Sequence, residues 1–390
     1  SFNDKTSDII WYALGNYNYA QRYYLNAGIS AHASSRFGTE ADGLKMAGVV
    51  WGLFPSVEGS WVIRHEEWFS SLKLVNYLRL NVGFDMTGND DIDYTASRSY
   101  FVSRRMLNSS ATGIVIGNIG NTELKWESTS RITAGIEGNF FNTRLNLRFN
   151  FFKSWTSNLL SLQQLAWASG LDANWSNDGK LENTGFDVHA AVKVLNLKDF
   201  RWEVGASVGH YKNKVTALPD NDRTFETDLY GATIQTKVGQ PAGLFYGYET
   251  NGVYSTTDAA NADAKYLVKD NGDKVFFKAG DMNFVDRDGN HVIDANDRTV
   301  IGDPIPDIYG NIHTTASWKN LTLTAVFNYS LGNDIFNYQR MLLEGGTYFL
   351  NQTTAMKSRW TTEGQQTAYP RAEYNDPKLR SEERLSRNAE

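Results

Sequence analysis

Arg144-Leu145-Asn146-Leu147-Arg148-Phe149-Asn150-Phe151 is the stretch that decides the fold. Leu145, Leu147, Phe149 and Phe151 fall on one side of an extended chain, and Arg144, Asn146, Arg148 and Asn150 fall on the other. Successive side chains of a strand point to opposite faces, so period two sorts the sequence into an apolar and a polar face. A helix would scatter both sets around its circumference. Just upstream, Ile132, Ala134 and Ile136 alternate with Arg131, Thr133 and Glu137. Gly138-Asn139-Phe140-Phe141-Asn142 joins the two runs, and together they read as a hairpin.

The same alternation recurs along the chain. Leu78, Leu80, Val82, Phe84 and Met86 oppose Arg79, Asn81 and Asp85, while Phe186, Val188, Ala190, Val192 and Val194 oppose Asp187, His189 and Lys193. Further copies run through Trp202-Val204-Ala206-Val208, from Ile308 to Trp318, and through Leu321-Leu323-Ala325-Phe327-Tyr329. The template predicts roughly ten strands. Tight turns are expected at Tyr19-Ala20-Gln21-Arg22, Asn139-Phe140-Phe141-Asn142 and Trp318-Lys319-Asn320, with long excursions from Thr87 to Thr122 and from Pro219 to Pro306. Short turns at one end and long loops at the other are the pattern of an antiparallel transmembrane β-barrel, with the short turns in the periplasm.

Composition narrows the alternatives. Of 390 residues 13% are aromatic and 21% charged, which provides ample apolar material for an ordered structure. Forty-four Asp and Glu against 38 Lys and Arg leave no basic excess for a nucleic-acid partner. With no Cys, disulfides, thiolate catalysis and sulfur-ligated zinc are all excluded. No apolar run approaches the roughly 20 residues of a membrane helix, but a barrel strand needs only about 9–11 and shows lipid every second one. No secretion-signal pattern follows Ser1, as expected of a mature, processed or fragmentary chain. Alternation alone also suits a soluble β-sandwich, whose apolar face would be core rather than lipid-facing. In the barrel reading Arg131, Arg144, Arg148 and Asp187 face the lumen. Trp126, Trp155, Trp202 and Trp318 near strand ends suit the interfacial girdles of a barrel and equally the core of a soluble protein.

Several segments together resemble the SusC/RagA family of TonB-dependent outer-membrane transporters of the Bacteroidetes. They are Tyr17-Asn18-Tyr19 with Arg22-Tyr23, Ser34-Ser35-Arg36-Phe37-Gly38, Trp51-Gly52-Leu53-Phe54-Pro55-Ser56-Val57, Thr87-Gly88-Asn89, Leu124-Lys125-Trp126-Glu127 and Glu182-Asn183-Thr184-Gly185-Phe186. Val238-Gly239-Gln240-Pro241, Phe245-Tyr246-Gly247-Tyr248, Ile301-Gly302-Asp303-Pro304 and Gly332-Asn333-Asp334-Ile335-Phe336-Asn337 complete the series. Their order and spacing are similar to those of the family's middle and later barrel, up to about Tyr338. Family members are longer, with an N-terminal plug, a TonB-binding segment and closing strands, so residues 1–390 are expected to be part of a barrel of roughly 22 strands.

The resemblance implies import of glycans or peptides through a barrel in outer-membrane lipid. A SusD-like surface lipoprotein would cap the mouth, and TonB would act through the absent plug. Siderophore or cobalamin receptors are the alternative within transport, and a surface-adhesive or secretion-associated β protein is the alternative outside it.

No nucleophile arrangement, paired-carboxylate motif or phosphate loop stands out, so no enzymatic activity is expected. His32, His65, His189, His210, His291 and His313 lie on scattered segments without the spacing that brings two rings to one metal. One motif is sharper: Asp286-Arg287-Asp288-Gly289-Asn290-His291-Val292-Ile293-Asp294-Ala295-Asn296-Asp297, within the 219–306 excursion. Asp286, Asp288, Asn290, Asp294 and Asp297 occupy positions 1, 3, 5, 9 and 12 of a calcium loop, with the Val292 carbonyl at position 7. This predicts a structural Ca²⁺. His291 replaces the turn glycine and Asp297 the final glutamate, and an ion-free acidic turn is the alternative reading.

Overall fold

The computed structural model describes residues 5–69, 72–105, 112–165, 170–171, 173–219, 223–347, 349–374 and 385–387. The chain divides into two compact units. One comprises Ser1–Thr224, Lys237–Pro241 and Ile308–Tyr329, the other Phe225–Thr236, Ala242–Asp307 and Ser330–Glu390.

The first unit is an antiparallel wall. Its strands are β1 (Asp8–Tyr19), β2 (Tyr23–Ser34), β3 (Val49–Val62), β4 (Val75–Asn89), β5 (Glu127–Phe140), β6 (Leu145–Gln164), β7 (Ala173–Asn196), β8 (Phe200–Ala217), β9 (Ile308–Trp318) and β10 (Leu321–Leu331). Each pairs with its neighbour in sequence, and a short strand at Leu44–Met46 adds to β3. Every alternating run read from the sequence is one of these strands. Three tight connections lie at one end: Ala20 and Gln21 (φ 52° and 53°), Phe141 to Thr143 (φ 55° to 61°), and Lys319 (φ 48°). The longest excursions leave from the other end. Strand β6 begins at Leu145, and Arg144 just before it closes the turn, its N–H donating to the Phe141 carbonyl and its own carbonyl accepting the Lys193 N–H.

Register converts alternation into rows across the wall. Ile136, Phe149, Val188, Val208 and Gly310 stand side by side on five strands. One residue along, Arg79, Glu137, Arg148, His189, Ser207 and Asn311 form the adjacent row on the opposite face. The apolar rows are not a core: Ile136 is 40% exposed and Phe149 42%. Strands β6 and β7 have 20 and 24 residues, about twice what a bilayer crossing requires.

Where the wall buries side chains, Phe37, Phe54, Ile92, Ala96, Leu124 and Trp126 pack as a cluster. Gly38 donates its N–H to the Leu124 carbonyl at 3.2 Å, and a Cβ on Gly38 would overlap the backbone of Thr122. The family segments at Ser34–Gly38, Trp51–Val57 and Leu124–Glu127 therefore meet in one place, which explains their shared pattern as packing.

The excursion expected from Pro219 to Pro306 has secondary structure of its own, most of it within the second unit. Strands Thr224–Leu229, Ala232–Lys237, Leu244–Tyr248 and Arg298–Gly302 form a sheet, and Thr250–Val253 pairs with Met282–Phe284. Helix α1 (Thr257–Asp263) is capped by the Thr256 side chain, which accepts from the Ala259 N–H. Tyr254, Ala260, Phe277, Met282, Phe284 and Ile293 close a small core, all at most 5% exposed.

Candidate functional site

The polar face of the wall is organised by cross-strand pairs, because residues opposite one another on adjacent strands lie within side-chain reach. Arg79, opposite Val62, reaches along the neighbouring strand to meet Glu58 at 3.2 Å and donates to Ser60 at 2.7 Å. Arg131 meets Asp85 at 3.0 Å, and Arg148 meets Glu137 at 3.5 Å. Asn150 donates to Asp187 at 2.9 Å and Asn146 to Asn139 at 2.8 Å. Charge is thus locally balanced, a surface suited to water or a polar neighbour. Two histidines remote in sequence meet there: the rings of His189 and His313 stack with centroids 5.6 Å apart. Gly205 makes this possible, since a Cβ at that position would run into the His313 ring.

The acidic loop lies in the second unit. Asp286 folds it: one carboxylate oxygen accepts the N–H groups of Gly289 and Asn290 at 2.8 and 3.3 Å, and the other accepts that of His291 at 2.8 Å. Burial alone would raise the Asp286 pKa, but the three amides outweigh it and hold the carboxyl below its ordinary value. His291 lies in the left-handed region at φ 63°, and its ring Nδ1 sits 2.9 Å from the Asp263 carbonyl. Asp297, fully buried, takes the N–H of Arg287 on one oxygen and that of Asp294 on the other, at 2.8 and 2.9 Å.

Carboxylate oxygens of Asp286, Asp288 and Asp297 lie within 4.8 Å of one another. Asp294 stands apart from that group. Its side chain accepts from the Asn296 N–H and, with Asp297, forms a capping box on the short 3₁₀ turn Ala295–Asp297. The Asn290 side-chain oxygen accepts the Val292 N–H at 2.6 Å. The loop is anchored where Ile293 enters the small core, flanked by backbone bonds from Tyr266 N–H to the His291 carbonyl and from Ile293 N–H to the Tyr266 carbonyl.

Two ion pairs lie elsewhere in this unit, one on Asp263 and one on Asp281. The Tyr254 hydroxyl donates to Asp263 at 2.6 Å, and Lys265 meets the same carboxylate at 3.0 Å. Burial, then the Asp263 carboxylate, push the Tyr254 phenol far above its ordinary value, so it stays neutral. Tyr254's hydrogen bond and Lys265 in turn hold Asp263 below the usual carboxylate range. Asp281, fully buried, binds Arg371 at 2.7 Å across 90 positions of sequence. Two further family segments meet in this unit as well: Asp334 accepts the Asp303 N–H at 2.9 Å and returns its own N–H to the Asp303 carbonyl at 2.7 Å.

Comparison with known proteins agrees with this geometry. The family described as TonB dependent receptor-like, beta-barrel matches residues 1–328. TonB-dependent receptor P3 of Formosa agariphila is 28% identical over 388 residues, covering 98% of this chain and 37% of the relative. TonB-dependent receptor SusC of Bacteroides thetaiotaomicron is 25% identical over 340 residues, covering 82% of this chain and 31% of SusC. The solved RagAB peptide transporter superposes with a TM-score of 0.73 at 23% identity, over 96% of this chain and 39% of that one. The chain thus spans about a third of the length of these relatives, which are named as TonB-dependent receptors. It belongs to the TonB-dependent receptor β-barrel family, of the SusC/RagA type, and its wall is an outer-membrane barrel wall.

Proposed function

We propose that this chain forms part of the wall and excursions of an importer that takes up glycans or oligopeptides under a SusD-like lipoprotein lid, driven by TonB. The observation that carries this reading is the two-faced wall, with exposed apolar rows on one side and ion-paired rows on the other. A lipid-facing surface and an aqueous lumen require that combination. The RagAB neighbour, a peptide transporter, supports it at the level of fold. In this reading the tight turns face the periplasm and the second unit lies outside. Arg79, Arg131 and Arg148 line the passage with no covalent role. Deleting the full-length gene should abolish growth on one defined class of glycan or peptide and spare growth on monomeric sugars and amino acids. Normal growth across all oligomeric substrates removes the proposal.

The second unit also carries a proposed Ca²⁺ loop. Asp286, Asp288 and Asp297 already gather oxygen ligands, and three carboxylates so close favour a hard cation. The donor set fits calcium, which takes six to eight oxygens, once Asn290 and Asp294 turn from their backbone partners and the Val292 carbonyl joins them. Isothermal titration of the full-length protein with Ca²⁺ is expected to give a dissociation constant of about 10⁻⁴–10⁻³ M. No heat of binding up to several millimolar would leave an acidic turn.

A further inference from the structure

The apolar face of the wall changes chemistry partway along β6, β7 and β8. Phe151, Phe186 and His210 form one cross-strand row, and the Phe186 ring also stacks 6.3 Å from that of Phe149. Two residues further along each strand, still on the same face, the row is Lys153, Thr184, Lys212. The next is Trp155, Glu182, Lys214. Lys212 and Lys214 are exposed, as is Trp155 at 38%. Lys153 meets Glu182 at 2.9 Å and also stands over the Trp155 ring at 5.3 Å. These two rows therefore carry three lysines and one carboxylate, with Lys153 alone paired to it, next to an aromatic row and beside a tryptophan. The equivalent positions of β5, Ile132 and Ser130, carry no charge, so the cluster is local to three strands.

We propose that this patch seats the phosphorylated headgroup of an outer-leaflet glycolipid. Opposed residues on neighbouring strands have Cβ atoms about 5 Å apart, which places Lys153 and Lys212 on either side of Thr184 at roughly 10 Å. Lysine stems are long enough to converge on a phosphate lying over Thr184, whose hydroxyl supplies a further donor, and Lys214 approaches on the diagonal. Glu182 neutralises one ammonium and leaves a positive surplus for the anion. Trp155 marks the interface, where its amphipathic ring is at home. Continuity with the apolar rows selects lipid over a soluble anion: the acyl chains lie against Phe149 and Phe151 while the headgroup meets the lysines. The leaflet follows from the proposed orientation of the wall, since these rows sit toward the end opposite the tight turns.

The test uses the full-length transporter in a neutral detergent, with bound lipid read by native mass spectrometry. Monophosphoryl lipid A should bind about tenfold or more tightly than the same lipid freed of its phosphate. Lys153→Gln, Lys212→Gln and Lys214→Gln together should erase that preference, and the three Lys→Arg changes should keep it. Equal binding of the two lipids by the unaltered protein overturns the proposal without any variant. So does a triple Gln protein that retains the preference, or full displacement by millimolar inorganic phosphate, which would mean a simple anion patch. Orientation is read separately. A Cys at Asp258, on α1 of the second unit, should be labelled by an impermeant reagent on intact cells, so an inverted wall and a headgroup-blind face give different results.

Discussion

The wall and the second unit of this chain solve opposite solvent problems. In the second unit Tyr254, Phe277, Met282, Phe284 and Ile293 withdraw almost completely from solvent, as in any water-soluble fold. In the wall, Leu147, Phe149 and Phe151 remain 38–42% exposed along a continuous face. Ionic groups are reversed too: the buried pair Asp281–Arg371 lies inside the second unit, whereas Arg131–Asp85 and Arg148–Glu137 stand on an open polar face. Hydrophobic residues thus mark the inside of one region and the outside of the other. The difference teaches that pattern sets the strand while the surrounding medium decides which face is stabilising.

The contrast can be broken most severely at Arg371. Replacing it by Ala leaves the Asp281 carboxylate buried without its guanidinium, an expected loss of about 3–5 kcal/mol. The loss should be confined to the second unit, read as faster amide exchange in Met282–Phe284 of the full-length protein. Loss of protection spread evenly into β6 and β7 would mean that the two regions share one stability.

Leu147→Arg probes the wall. An arginine on the lipid face near mid-membrane is expected to cost about 2–4 kcal/mol, whereas Asn146→Arg on the polar face should be nearly neutral. The assembled fraction, followed by heat-modifiable gel mobility, reports both. Equal tolerance at the two positions would erase the assignment of faces.

Two smaller effects sharpen the picture of the second unit. Calcium at about ten times its dissociation constant should stabilise that unit by about 1.4 kcal/mol, and Asp288→Ala should remove the gain; protease resistance of the 286–297 loop follows it. Acid should act through Asp263. Its folded pKa is depressed, so its contribution is present above the ordinary carboxylate value of about 3.9 and is lost as pH falls through the folded pKa. Asp263→Asn should flatten the acid limb of the second unit's thermal stability, and an unchanged limb would assign that dependence to other carboxylates.

The wall was legible in the sequence because period two is a local signal. Phe149 and Arg148 announce their faces whatever lies on the next strand, and the turns at Ala20 and Lys319 fall where the alternation pauses. The second unit was largely hidden. Its strands at Tyr266–Val268, Lys274–Phe276 and Met282–Phe284 have three residues each, too few to show any period. The partners Asp281 and Arg371 are joined only by the fold. The acidic loop was visible through spacing, yet spacing did not indicate that the Asp294 side chain caps a turn. For the lysine patch the signal was present in the parity of Lys153 with Phe151, and of Lys212 and Lys214 with Val208, but only register shows that they are neighbours.

The order of the strands bears on how such a chain becomes ordered at all. Most wall pairings join strands close in sequence and can zip together as successive hairpins, with little entropy lost at each closure. The pairing of β8 with β9 is different, for the whole of 218–307 lies between them. A floppy connection of that length would delay this pairing and leave the edge of β8 open to wrong partners. A segment that has already condensed around its own small core brings its two ends closer before the strands search for one another. On that view the second unit is a built-in assembly aid: destabilising it should slow wall formation even where the finished wall is no less stable.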